Sequence, residues 1–227
     1  MPTVLLVRHG LTEVTGTVLS GRTPGLHLSE AGRQQATALA ERLAGVPLTA
    51  VVSSPLERCQ ETAAALLPGR DLTLQTEERF VEVGYGEWTG RPLKDLAKEP
   101  LWKVVQQHPS AAQFPGGESL AGTQARAVAA VREWNEKLGE KATYVVCSHG
   151  DVIKAILADA LGLHLDGFQR IMVNPASVSV VHYTPTRPFV ARVNDVGGSV
   201  ADLLPPKKGR RSKAPASGDA VVGGGAG

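Results

Sequence analysis

The chain has 227 residues, 42% of them hydrophobic and 20% charged, with a formal net charge of +2. That is enough to bury a full core in one globular domain, while the longest uncharged apolar runs fall far short of the roughly 20 residues a membrane-spanning helix needs. Arg8 interrupts the first apolar run, so no signal peptide is expected, and the two cysteines, Cys59 and Cys147, lack CxxC or metal-ligand spacing. Reduced thiols in a cytoplasmic protein without a membrane partner are the expectation.

Thr3–Val7, a continuous run of β-branched and aliphatic residues, reads as a buried strand. Ser29 is placed to cap a helix that runs through Gln35 and Ala40 to about Ala44, with Gly45 just past its end. Thr49–Val52 is a second strand. It leads into Ser54-Pro55-Leu56-Glu57, a capping-box pattern with proline at the first helical position, where a missing N–H costs least. That helix is expected to reach about Leu67 and to stop at Pro68-Gly69, with Leu72–Thr76 as a third strand. Residues 78–117, dense in glycine and proline, read as irregular. A long helix then covers about Glu118–Leu138, followed by a strand at Tyr144–Cys147, a helix at Val152–Leu161, and strands at Val178–Tyr183 and Phe189–Val193. This order predicts an α/β fold, a layered α/β/α sandwich with a mainly parallel central sheet.

Residues 1–204 are expected to form one catalytic domain. Residues 205–227 are rich in proline, glycine and alanine, and composition assigns them to a disordered tail. The tail holds Lys207, Lys208, Arg210, Arg211 and Lys213 against one acidic residue, Asp219, a net +4 that leaves the body at −2. The basic balance is therefore a property of the tail and gives no sign of a nucleic-acid surface on the body. A binding protein that holds acidic polymers through this tail is the reading from another class, but five charges without interleaved aromatics make weak, salt-sensitive contacts.

Three polar clusters stand at the ends of predicted strands: Arg8-His9-Gly10, Ser53-Ser54-Pro55-Leu56-Glu57-Arg58 and Ser148-His149-Gly150-Asp151. In an open α/β sheet, sites form beyond the carboxyl ends of the strands, so the clusters should converge. Two of them also open helices, whose free N–H groups favour an anion. Two arginines and two histidines gathered there describe a phosphate pocket.

These clusters resemble the histidine phosphatase superfamily, with its phosphoglycerate-mutase-like fold, from about Thr3 to Tyr183. Arg8-His9-Gly10 is similar to the family's nucleophile triplet, and Ser53-Ser54-Pro55 with Arg58 to its second-arginine segment. Glu82-Val83-Gly84-Tyr85-Gly86-Glu87-Trp88-Thr89-Gly90 matches a Glu-x-x-x-Gly-x-Trp-x-Gly pattern, and Pro115-Gly116-Gly117-Glu118-Ser119 and Ser148-His149-Gly150 complete the order. The resemblance implies that His9 attacks phosphorus and carries a phosphohistidine. It implies that Arg8, Arg58 and His149 surround the phosphoryl oxygens and that Glu82 is the general acid and base. It implies no cofactor and no metal. Thr12, Ser20, Gly21, Arg22, Glu118 and Gly150 are the further candidate substrate contacts. Asp151 is expected to cap its helix, Trp88 to pack, and His27, His108, His164 and His182 to be structural or on the surface.

The implied activity is hydrolysis of a small phosphomonoester; the alternative is a phosphoglycerate-type mutase using the same intermediate. Three departures from the mutase pattern favour hydrolysis. Leu11-Thr12-Glu13-Val14 replaces a Trp-Asn pair after the triplet, and Val83-Gly84-Tyr85-Gly86 follows Glu82 where mutases have an aromatic-Gly-x-Leu segment with an Asn-Lys. The stretch between Glu82 and His149 is also short for a cover that must exclude water. The expected partner is a small phosphorylated substrate. Oligomeric state, a homodimer included, is open from sequence.

Overall fold

The computed structural model describes residues 1–198; the basic tail and the boundary expected at residue 204 lie outside them. Six strands, β1 (Thr3–Arg8), β2 (Ala50–Ser53), β3 (Leu74–Thr76), β4 (Thr143–Ser148), β5 (Val178–Tyr183) and β6 (Pro188–Asp195), form one sheet in the order β3-β2-β4-β1-β5-β6. The first four in that order are parallel, with Leu5 and Val51 both beside Val145, whereas β5 runs antiparallel to β1 and β6 antiparallel to β5.

Alternation along the strands divides the core in two. Val4, Leu6, Val52, Tyr144 and Val146 face one layer. It contains α3 (Leu93–Leu96), α4 (Pro100–Gln107), α5 (Leu120–Leu138) and α6 (Gly150–Ala160). Leu5, Val7, Val51, Val145 and Cys147 face the other, under α1 (Glu30–Leu43) and α2 (Glu57–Ala64). Burial of each such aliphatic side chain contributes about 1.5–3 kcal/mol. The architecture is the layered α/β/α sandwich that the element order predicts.

Ser29 caps α1 as its sequence requires, its Oγ accepting the Gly32 N–H at 3.1 Å. The helix buries Gly32, Ala36, Leu39 and Leu43 along one stripe. Several strand ends differ from the sequence reading by one or two residues, β3 starting at Leu74 and β6 running to Asp195, and four helix boundaries differ as follows. First, α2 begins at Glu57, with the apolar Leu56 at its N-cap and so no side-chain cap; the Ser54 Oγ lies 2.7 Å from His149 Nε2 and accepts the Leu56 N–H at 3.4 Å. Second, α2 ends at Ala64, where Leu66 and Leu67 turn back onto Ala63 and Ala64 in tighter i→i+3 bonds. Third, α5 begins after Ser119, whose Oγ accepts the Gly122 N–H at 3.0 Å. Fourth, α6 starts two residues early, at Gly150.

The segment read as irregular contains two short helices, α3 and α4. Pro100 opens α4 at a position where its missing N–H costs nothing, and Trp102 stacks on Trp88, with ring centroids 6.3 Å apart. Among the described residues no helix is long and apolar enough to cross a membrane.

Candidate active site

Three parallel strands end on the same side of the sheet at Arg8, Ser53 and Ser148. The His9 N–H donates to Ser148 O at 3.0 Å and the Ser54 N–H to Cys147 O at 2.9 Å. Backbone pairing beyond the strand ends therefore holds the three polar clusters together. Beneath the first cluster, Gly32 of α1 passes so close to the loop that a Cβ there would stand 2.0 Å from Leu11 O. The helix can support the His9 turn only because that position has no side chain.

Arg8, His9, Arg58 and Glu82 meet at one end of a cavity, and all four are nearly or fully buried. The His9 ring has a defined tautomer. Its Nδ1 lies 2.7 Å from Gly10 O, a carbonyl that only accepts, so Nδ1 carries the proton. Nε2 is left with a lone pair, which accepts from Arg58 Nε at 3.3 Å. Burial, then Arg58 and Arg8, hold the His9 pKa well below 6.5, so the imidazole is neutral near pH 7.

Arg58 also donates through Nη2 to Gly21 O at 2.7 Å and reaches His149 Nδ1 at 3.3 Å. Its Nη1 is buried without a hydrogen-bond partner among the described residues. His149 stands edge-on to His9, with ring centroids 5.3 Å apart, and burial followed by Arg58 keeps it neutral as well. It does not line the cavity directly. Arg8 donates to Val173 O at 2.7 Å, and burial lowers its pKa to about 10, which still leaves it charged at neutral pH.

The Glu82 carboxyl is buried, with Oε1 accepting the Val83 N–H at 2.9 Å. Burial, then the charge of Asp151, raises its pKa to about 7, against the opposing pull of the Val83 N–H, Arg58 and Arg8. A clamp of backbone and salt bridges fixes its segment. Arg22 Nε and Arg126 Nη2 donate to Glu82 O at 2.8 and 3.2 Å. Both arginines pair with Glu118, which also takes the Gly84 N–H at 2.9 Å.

The structure thus places Thr12, Ser20 and Gly21 on the cavity lining, and Arg22, Glu118 and Gly150 off it. Arg22 and Glu118 hold the Glu82 loop, their charges already engaged with each other, and Gly150 is the buried first residue of α6. Asp151 does not cap that helix as the sequence suggested. His149 occupies the N-cap, and Asp151 is buried in the first turn. Trp88 packs against Trp102 and Phe114. His27 bonds Glu61, His108 and His164 face Asp166, and His182 bonds Thr3 Oγ1 at 2.9 Å, all away from the cavity. Both cysteines are buried free thiols, Cys59 Sγ lying 3.4 Å from His149 Nε2.

Sequence reasoning missed Thr15, Gly16, Val18, Leu19, Tyr85 and Leu93 as lining residues. Tyr85 was within reach, sitting three residues past Glu82 inside the motif, whereas Leu93 arrives through a helix that went unread.

A buried, neutral, singly protonated histidine beside Arg58, with Arg8 and the buried Glu82 carboxyl at the same cavity, is an arrangement suited to phosphoryl transfer. The chain belongs to the histidine phosphatase superfamily (branch 1), whose family model matches residues 4–196. It is 32% identical over 205 residues to phosphoserine phosphatase 1 of Hydrogenobacter thermophilus, spanning 86% of this chain and 92% of that one. A protein named "Probable phosphoglycerate mutase GpmB" from Yersinia pestis is 31% identical over 205 residues, spanning 88% and 94%. Among solved structures, the mycobacterial glucosyl-3-phosphoglycerate phosphatase Rv2419c superposes with a TM-score of 0.77 at 25% identity, over 85% of this chain and 98% of that one. The protein is a histidine phosphatase.

Proposed function

We propose that the enzyme hydrolyses a small phosphomonoester in the cytoplasm by way of a phosphohistidine on His9. The observation that carries this is the His9 tautomer: Nδ1 is tied to Gly10 O, so Nε2 presents its lone pair beside Arg58. In the first step Nε2 forms a bond to phosphorus while the P–O ester bond breaks, and the departing oxygen takes the Glu82 proton. In the second, water attacks phosphorus, its proton passes to the Glu82 carboxylate, and the P–N bond breaks to restore His9. Arg8 and Arg58 stabilise the charge on the non-bridging oxygens, and the neutral His149 supports them by accepting from Arg58 Nη2 at 3.3 Å. Thr12, Ser20 and Gly21 line the entrance, while Arg22 and Glu118 act through the Glu82 loop.

The two relatives named as phosphatases act, by their names, on phosphoserine and glucosyl-3-phosphoglycerate, which supports a small phosphorylated metabolite as the substrate class. The test combines a phosphate-release screen over a panel of monoesters with trapping of labelled phosphate on the protein. His9→Ala should abolish both turnover and the acid-labile, base-stable adduct while the thermal transition survives. Turnover undiminished in that variant would overturn the mechanism.

A further inference from the structure

Behind the cavity wall lies a buried carboxylate to which the phosphoryl chemistry above assigns no step, although its charge also supports that of Arg8. Asp151, the second residue of α6, is fully buried, and its Oδ2 accepts the Tyr85 hydroxyl at 2.8 Å. Lys154, one turn further on and also buried, approaches Asp151 Oδ1 at 3.4 Å and donates to Gln169 Oε1 at 2.8 Å. Tyr85 forms part of the cavity lining, and Phe114 holds its ring edge-on, with centroids 4.9 Å apart. Burial keeps the Tyr85 phenol protonated, so it serves Asp151 as a donor. A phenol and an ammonium are the partners an ionised interior carboxylate requires.

A structural role alone explains this poorly. A buried ion pair gains the fold little over apolar residues of the same volume, because desolvation offsets the attraction. The pair is also joined, through Tyr85, to the wall of the cavity that holds Glu82.

We propose that Asp151 is a positioning residue of the phosphatase. Anchored by Tyr85 and Lys154, its negative charge acts on Glu82 and keeps the proton on that carboxyl until the leaving oxygen takes it. The groups around Glu82 set the balance. Arg8 from β1 and Arg58 from α2 favour losing the proton, Asp151 from α6 opposes them, and Tyr85, His9 and His149 are neutral. Arg22 and Arg126 bond the Glu82 carbonyl and are themselves paired with Glu118. Burial has the largest influence in keeping the proton, and Asp151 supplies the next. Without Asp151 the two arginines would meet no nearby negative counterweight from α6, and a neutral acid would be scarcer at pH 7 and above.

The proposal rests on Glu82 being the general acid, and the experiment separates the two readings. The pH profile of kcat/KM on a simple alkyl monoester is measured for the wild type, Glu82→Gln, Asp151→Asn, and the double variant Asp151→Asn with Lys154→Met. The double variant leaves no unpaired buried ammonium, so it remains informative if the single change fails to fold. Glu82→Gln should remove the alkaline limb, which assigns that limb. Both Asp151 variants should shift it down by about one pH unit, so that the alkyl-to-aryl rate ratio above the limb falls about tenfold. A merely structural role would lower activity at every pH and leave the limb in place. A limb abolished by Glu82→Gln but unmoved in the Asp151 variants overturns this inference alone. A limb that survives Glu82→Gln overturns the acid assignment and this inference with it.

Discussion

His9 and Glu82 are opposite cases of one rule: burial penalises whichever form carries charge. It strips the proton from the histidine and keeps it on the carboxyl, which suits the proposed nucleophile and the proposed acid at the same pH. Glu82→Gln should therefore slow an alkyl phosphate by roughly 10²–10⁴-fold and hardly affect an aryl phosphate whose leaving group needs no proton. Steady-state rates on such a pair check this, and equal slowing would remove Glu82 from the acid role. The same burial has a cost in stability. The Glu82 pKa of about 7 lies above its ordinary 4.5, so the unfolded chain loses this proton first, and stability falls as pH rises from 4.5 to about 7. Relative to the wild type, Glu82→Gln should gain thermal stability at pH 8 and gain little at pH 5. A difference independent of pH would contradict the argument. His9 and His149 work in the other direction, withdrawing stability as pH falls below 6.5, where the unfolded chain takes up protons they refuse.

At the level of elements, the Glu82 loop is held by a backbone contact. Gly86 has φ +54°, and a Cβ on it would stand 2.0 Å from Pro115 O, while one on Gly117 would stand 2.1 Å from Gly84 O. The Glu82–Gly90 loop and the Pro115–Gly117 turn thus press together without side chains between them. Gly86→Ala should cost stability through both strain and clash, about 1–3 kcal/mol or more, and should reduce turnover further by displacing Glu82. Melting and kcat together test this; an unaltered enzyme would show that the contact yields freely. This contact also shows why some of the site was legible and some was not. The Glu-x-x-x-Gly-x-Trp-x-Gly spacing marks the loop because glycine is mandatory there. By contrast, the Ser54 pattern read as a helix cap, since nothing local reveals that a histidine 95 residues later takes its hydroxyl. Asp151 was misread for the same reason. Its partner Tyr85 is 66 residues away, and local chemistry offered only the helix end.

On the scale of the whole molecule, the strands and the three polar clusters were readable because parallel strands buried on both faces leave unbroken apolar runs in the sequence. The helices of 93–107 were not, because they are short and set among the glycines and prolines of the surrounding 78–117 segment, while tertiary packing of Leu96 and Val105 decides the outcome. The family match ends at residue 196, and the tail from 205 on offers little apolar surface to bury. A chain ending at Leu204 should match the full protein in thermal midpoint and kcat/KM on a small substrate. A large drop in either would give the tail a part in the catalytic unit.

The position of β1 in the sheet governs when the enzyme becomes active. Of the six strands β1, which leads into His9, comes first in sequence order, yet its two neighbours are β4 and β5, which begin at residues 143 and 178. At about 5–20 residues per second, the ribosome leaves this apolar strand without its sheet for many seconds. Arg58 is made early too, but His149 and the carbonyl of Ser148 that steadies His9 are not. Catalysis therefore cannot precede synthesis of His149, and a nascent chain stalled before Thr143 would expose β1 without either of its sheet neighbours to whatever chaperones attend it.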